Sequence, residues 1–195
     1  MKIIFATGNK HKFEEIKHKI GDFLNLVNLD DIGFYGEMPE THYTLEENAA
    51  EKAFFIYNRF NISCFADDTG LEIEALSGRP GVFSARYAGR IASSENNIIK
   101  VLSEMKNEIN RIAQFRTVIA LVENERLYKF EGRIVGTITN KKRGRMGFGY
   151  DSIFIPDGYN KTFAEMTLEE KNSISHRTIA VNKLVDYLSN KYKRV

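Results

Sequence analysis

The spacing of apolar and polar residues changes period several times along the chain, which separates helix-like from strand-like stretches. Residues 2–6, Lys-Ile-Ile-Phe-Ala, form a short apolar run suited to a buried strand. Residues 9–20 follow with Phe13, Ile16 and Ile20 on one helical face. A second strand is expected over 23–29. The strongest helical signal covers 45–60, where Ala49, Ala53, Ile56 and Phe60 make an apolar stripe. Thr44 and Glu47 form a capping box at its start. Strand-like segments at 63–67 and 71–75 flank an acidic turn, and Ser93 or Ser94 caps a helix running to about residue 106. Two longer strands, 115–122 and 126–138, meet in a hairpin at Glu123-Asn124-Glu125. A short strand at 152–155 and a final helix, capped by Ser175 and running to 192, complete the chain, with Ile179, Leu184, Val185 and Leu188 facing inward. This interspersed order predicts an α/β fold built on a mixed sheet. With no repeat, low-complexity tract or linker, residues 1–195 are expected to form a single domain.

Composition narrows the class without changing that picture. At 195 residues, 43% hydrophobic and 28% charged with 3 prolines, the chain can bury a sizeable core and is neither disordered nor collagen-like. Lys and Arg number 28 against 26 for Asp and Glu, a net charge of +2. That balance argues against a nucleic-acid partner, which demands a concentrated basic face, but leaves room for local positive charge around a small anion. Cys64 is the single cysteine, so an internal disulfide and a cysteine-based zinc site are excluded; its apolar setting predicts a buried thiol. The apolar run at 1–6 is too short for a signal-peptide core, and no segment reaches the length of a membrane span. A cytoplasmic protein with no membrane association is expected.

Five segments carry candidate chemistry. Thr7-Gly8-Asn9-Lys10-His11-Lys12 stands where a strand gives way to a helix. Free backbone N–H groups and the positive end of the helix dipole gather there, and Gly8 lets a ligand approach the backbone, a setting suited to phosphate. A plain strand-to-helix turn with solvated lysines is the competing reading, and no Walker or dinucleotide-binding glycine pattern is present. Ala66-Asp67-Asp68-Thr69-Gly70 sets two adjacent carboxylates after an apolar strand. Their repulsion is relieved by a hard cation such as magnesium, with Glu40 as a further ligand, although an Asp-rich turn looks the same in isolation. Gly78 to Gly89 combines turn glycines with Arg79, Arg86, Phe83 and Tyr87, and reads as a structured loop. In Gly147-Phe148-Gly149-Tyr150-Asp151 the flanking glycines free an aromatic face for stacking on a nucleobase, or simply allow a tight turn around a core ring. Lys171-Asn172-Ser173-Ile174-Ser175-His176-Arg177 places His176 and Arg177 at a helix start, where the dipole disfavours cations. That mismatch points to an anionic or carbonyl-bearing ligand.

Taken in order, these segments resemble the Ham1-type inosine triphosphate pyrophosphatase family. The matching residues are Thr7-Gly8-Asn9 with Lys12, Glu40, Glu47-Asn48-Ala49, Phe65 to Leu71, Pro80 to Tyr87, Gly147 to Asp151, and Ser175-His176-Arg177. The resemblance implies an ITPase-like (Maf/Ham1) α/β fold, a mixed twisted sheet flanked by helices in two lobes with a central cleft. It implies a homodimer that hydrolyses ITP, dITP and XTP to the monophosphate and pyrophosphate with Mg2+. By position, Thr7, Gly8, Asn9, Lys10, His11 and Lys12 would bind the triphosphate, assisted by Lys171. Glu40 and Asp68 would hold the metal, and Asp68 would act as general base. Thr69 would contact substrate, and Phe148, Gly149, Tyr150, Asp151, His176 and Arg177 would form the base pocket. Thr69 stands where the family often has Ser, which keeps the hydroxyl. Ser152 stands where Pro is common, which changes the backbone stiffness beside the base pocket. A Maf-like pyrophosphatase for other modified nucleotides, and a non-catalytic nucleotide-binding protein, are the alternatives.

Overall fold

The computed structural model describes residues 2–20, 24–89 and 93–192, with the side chains of His11, Glu15, His18 and Lys19 left out. The strands are β1 (Lys2–Phe5), β2 (Asn25–Val27), β3 (Cys64–Ile73), β4 (Ile112–Glu123), β5 (Arg126–Ile138) and β6 (Phe154–Pro156). The helices are α1 (Lys10–Ile20), α2 (Leu45–Phe60), α3 (Ser94–Glu104), α4 (Leu168–Ile174) and α5 (His176–Tyr192). The strands make one six-stranded mixed sheet in the order β2-β1-β3-β4-β5-β6. β1 runs parallel to both β2 and β3, and β5 antiparallel to β6. Asn124 and Glu125, both with positive φ, make the two-residue turn between β4 and β5.

The chain divides into two compact units. Unit one comprises 1–68, 117–131 and 180–195; unit two comprises 69–116 and 132–179. In unit one, Ile3, Phe5, Phe65, Ile119 and Leu121 share a core with Phe13, Ile16 and Ile20 of α1 and with Ala180, Val181, Leu184 and Leu188 of α5. The buried stripe of α5 is therefore turned about one position from the expected one. Val185 only packs against this core, and Ile179 is partly exposed. In unit two, Leu71 and Ile73 of β3 join Ile98, Val101, Phe115, Ile153, Phe154 and Phe163.

Two differences from expectation matter for the site. The acidic pair lies within one continuous ten-residue strand, β3, rather than in a turn between two strands. Gly70 makes that continuity possible, because a β-carbon there would stand 2.6 Å from the carbonyl oxygen of Gly81. The segment before α5 is itself a helix, α4, with its own capping box from Thr167 and Glu170. Ser175 nevertheless caps α5, its hydroxyl accepting a hydrogen bond from Thr178 N at 3.2 Å.

Gly136 of β5 faces β6 so closely that an added β-carbon would meet Phe154 Cζ at 2.7 Å, with the Ile155 carbonyl nearer still. Gly136→Ala is expected to lower the free energy of unfolding by about 1–3 kcal/mol, read as a fall in the urea midpoint. At Gly8 an added β-carbon meets nothing within 4 Å, so Gly8→Ala is the control that should leave the midpoint in place.

Candidate active site

Successive residues of a strand point to opposite faces of a sheet. β3 carries Phe65 and Asp67 on one face and Cys64, Ala66 and Asp68 on the other. Phe65 faces α1, stacking on Phe5 at 4.6 Å, and Asp67 on the same side receives Lys12 Nζ of α1 at 2.8 Å. Asp68 turns the other way and meets Lys52 Nζ of α2 at 3.4 Å. The same ammonium donates to Glu40 Oε1 at 2.7 Å. Lys52 is buried within the apolar stripe of α2, together with Asn48. The cost of taking these charges out of water is met because each buried carboxylate has a cation from the helix on its own side.

Electrostatics differ across this group. Burial holds the Asp68 carboxyl above the ordinary carboxylate range; Lys52 and Lys12 pull it down, while Glu40 and Asp67 push it further up. For Lys52, burial favours the neutral amine, but Asp68, Glu40 and Asp67 outweigh it and hold the ammonium above its usual value. Burial also pushes the Cys64 thiol up, leaving an unreactive packing residue.

Asp68 Oδ2 is buried and makes no hydrogen bond among the described residues. An exposed-side carboxylate, Glu40, lies on the same ammonium as Asp68. Among the described residues there is no group of three or more His, Cys, Asp or Glu that could enclose a metal ion. Two carboxylates and an unfilled oxygen suit a water-rich ion such as magnesium, which takes one or two carboxylates and completes its shell with water and substrate phosphates.

At the start of α1, Asn9 is the capping residue: its carbonyl accepts from Phe13 N at 3.1 Å and its side-chain oxygen from Lys12 N at 3.2 Å. Thr7 Oγ1 accepts from Asn9 N at 3.2 Å. Gly8, Asn9 and Lys10 are exposed. The side chain of His11 lies outside the described residues.

Unit two gathers the remaining candidates. Gly147 and Gly149 both have positive φ, and a β-carbon on Gly147 would collide with Asp151 Oδ2. That oxygen accepts from Phe148 N at 2.9 Å and from Lys171 Nζ at 2.6 Å, the Asp151–Lys171 pair being buried. Phe148 is 40% exposed, with Lys171 Nζ 4.7 Å and the Arg177 guanidinium 5.6 Å from its ring centre. His176 is buried and stacks on Phe115 at 4.8 Å. Tyr150 is a core residue whose hydroxyl donates to the Ser84 carbonyl at 2.8 Å. Thr69, half-buried, opens this unit directly after Asp68.

The structure thus brings Lys12 to Asp67 and Glu40 to Asp68, and collects Phe148, Asp151, Lys171 and Arg177 around one aromatic ring. Lys171, expected at the triphosphate, stands with Asp151 and Phe148 in unit two. Lys52 was passed over in the sequence, although a signal exists: a lysine at an inward stripe position between Ala49 and Ala53 cannot be a solvated surface charge. The position of the Asp68 carboxyl is testable by 13C NMR. Its titration midpoint is expected above the ordinary aspartate value, and Lys52→Met should move it higher still, because the ammonium that favours the ionised form is gone.

The chain is similar to known proteins in both sequence and fold. The model of the Ham1 family matches residues 3–187. A dITP/XTP pyrophosphatase of Porphyromonas gingivalis is 50% identical over 96% of this chain and 97% of its own length. One from Flavobacterium psychrophilum is 46% identical over 97% of this chain and 100% of its own. The structure of the Staphylococcus aureus Ham1 protein superposes with a TM-score of 0.92 at 37% identity, covering 98% of this chain and 100% of that one. Matched over nearly its whole length in sequence and in fold, the chain belongs to the Ham1 family.

Proposed function

We propose that this protein is a nucleoside-triphosphate pyrophosphatase that hydrolyses non-canonical purine nucleotides, ITP, dITP and XTP, to the monophosphate and pyrophosphate. The observation that carries the reading is the Asp68–Lys52–Glu40 group. It holds a buried carboxylate with a raised proton affinity and an unfilled oxygen beside a second carboxylate and a cation. Two of the relatives described above are named dITP/XTP pyrophosphatases.

In this reading Asp68 takes the proton of the attacking water. Its buried Oδ2, which makes no hydrogen bond among the described residues, is placed for general-base work worth about 10²–10⁴-fold. Glu40 and Asp68 are the residues that would hold magnesium, which when bound neutralises charge on phosphate oxygens. The Thr7–Lys12 turn supplies backbone N–H groups at the start of α1, with Lys10 and Lys12 adding positive charge for the phosphates. Lys12 is tied to Asp67, so its ammonium is held in a fixed direction rather than swinging in solvent. Thr69 contributes a hydroxyl next to the base.

Phe148 offers an aromatic face for the purine, made cation-rich by Lys171 and Arg177. Hypoxanthine and xanthine carry a 6-oxo acceptor where adenine carries an amino donor. Donors from His176 and Arg177 therefore accept the former and leave a mismatched pair with adenine, costing about 1–3 kcal/mol. The same reading carries a homodimer and a cytoplasmic location; no described helix is long and apolar enough to cross a membrane.

Steady-state hydrolysis of ITP, XTP and ATP in magnesium, with products identified, tests the function. The expected outcome is stoichiometric pyrophosphate and monophosphate, with kcat/KM for ITP about tenfold or more above that for ATP. Stepwise release of inorganic phosphate would overturn the reaction type, and equal kcat/KM values would overturn the base-pocket assignment.

A further inference from the structure

Glu40 lies in a stretch, 37–44, that has no regular secondary structure. Such a segment does not fix a side chain by itself, yet Glu40 meets Lys52 at 2.7 Å. The two residues that follow are gripped by side chains of α2. Asn48 accepts from His42 N at 2.9 Å through its oxygen and donates to His42 O at 3.2 Å through its nitrogen, closing a two-bond clasp on one backbone residue. Glu51, one turn further along, accepts from Thr41 N at 2.9 Å and from Thr41 Oγ1 at 2.8 Å. His42 Nε2 lies 3.8 Å from Glu51.

Asn48 is completely buried in the inward stripe of α2. A buried amide there is costly unless its donor and acceptor are both used, and the hydrogen bonds that use them run to the backbone of His42, two residues from Glu40. We infer that Asn48 and Glu51 are positioning residues for Glu40: they splint the 40–42 backbone onto α2, the helix that also presents Lys52, and so hold the Glu40 carboxylate at fixed reach of Asp68. The inference rests on the proposed role of Glu40 toward the metal. In this role Asn48 and Glu51 act through Glu40, by way of the Thr41 and His42 backbone, rather than on substrate or metal themselves.

A double-mutant cycle separates this role from a general contribution to stability. Asn48→Ala and Glu51→Ala are made in the full-length protein with Glu40 intact and again with Glu40→Gln. Two quantities are read: binding of Mn2+, followed by its EPR signal in the absence of nucleotide, and kcat/KM for ITP at fixed magnesium. With Glu40 present, each substitution is expected to weaken Mn2+ binding and lower kcat/KM by about tenfold to 100-fold. With Glu40→Gln, the same substitutions should change both by no more than about twofold. Equal losses in both backgrounds would overturn the inference while leaving Glu40 in its proposed role. If Glu40→Gln itself binds Mn2+ and turns over as the wild type does, the role of Glu40 falls and the inference with it. Glu51 is only partly buried, so Glu51→Ala keeps the cycle readable where Asn48→Ala lowers the folded population.

Discussion

The alternation of side chains along β3 is the constraint on which the rest of the site depends. Asp67 and Asp68 are neighbours in sequence, but a strand turns them to opposite faces of the sheet and so to different ion-pair partners. Each meets its own counter-charge, one from each side: Lys12 from α1 for Asp67 and Lys52 from α2 for Asp68. A one-residue slip of β3 would exchange the two carboxylates and bury each against the wrong helix. The parallel pairing of Ile4 with Cys64 and Phe5 with Phe65 sets that register, and the stacked rings of Phe5 and Phe65 fill the α1 side beneath Asp67.

The same matching of buried charge orders unit two. Asp151 accepts from Lys171 and from the amide of Phe148, so the carboxylate that neutralises the lysine also folds the aromatic's own turn. Gly147 is required there because its missing side chain leaves the space that the carboxylate fills. Phe148 then presents a half-exposed ring flanked by two cations, while Tyr150 is drawn inward to the Ser84 carbonyl. One short segment thus holds a half-exposed ring and an anchor for the core, which its sequence alone does not distinguish.

Much of this was legible in the sequence where one local rule acted alone. Thr44 caps α2 as expected, accepting from Glu47 N, although Glu47 bonds the Thr44 hydroxyl rather than its amide and leaves the box half closed. The turn at Thr7–Asn9 falls between β1 and α1 as expected. Legibility failed where tertiary partners overruled local preference. Asp-Asp-Thr-Gly reads as a turn because these residues disfavour strands. Lys12 and Lys52 compensate the carboxylates, however, and the Gly81 carbonyl lies against Gly70, so the strand continues through all four. Lys52 and Asn48 escaped notice because a stripe of Ala and Ile is read by its apolar members, while here the polar members of the stripe meet Glu40, Asp68 and the backbone of His42. α4 escaped because its seven residues carry too short a periodicity, though Thr167 and Glu170 marked its start.

The division of the acidic pair is tested most directly by measuring kcat and the nucleotide dissociation constant of Asp67→Asn and Asp68→Asn side by side, with ITP and magnesium. The account predicts that Asp68→Asn loses about 10²–10⁴-fold in kcat while still binding nucleotide. It predicts that Asp67→Asn, which releases Lys12 from its tether, mainly weakens binding. Equal losses of kcat in the two variants, or near-wild-type turnover in Asp68→Asn, would contradict it.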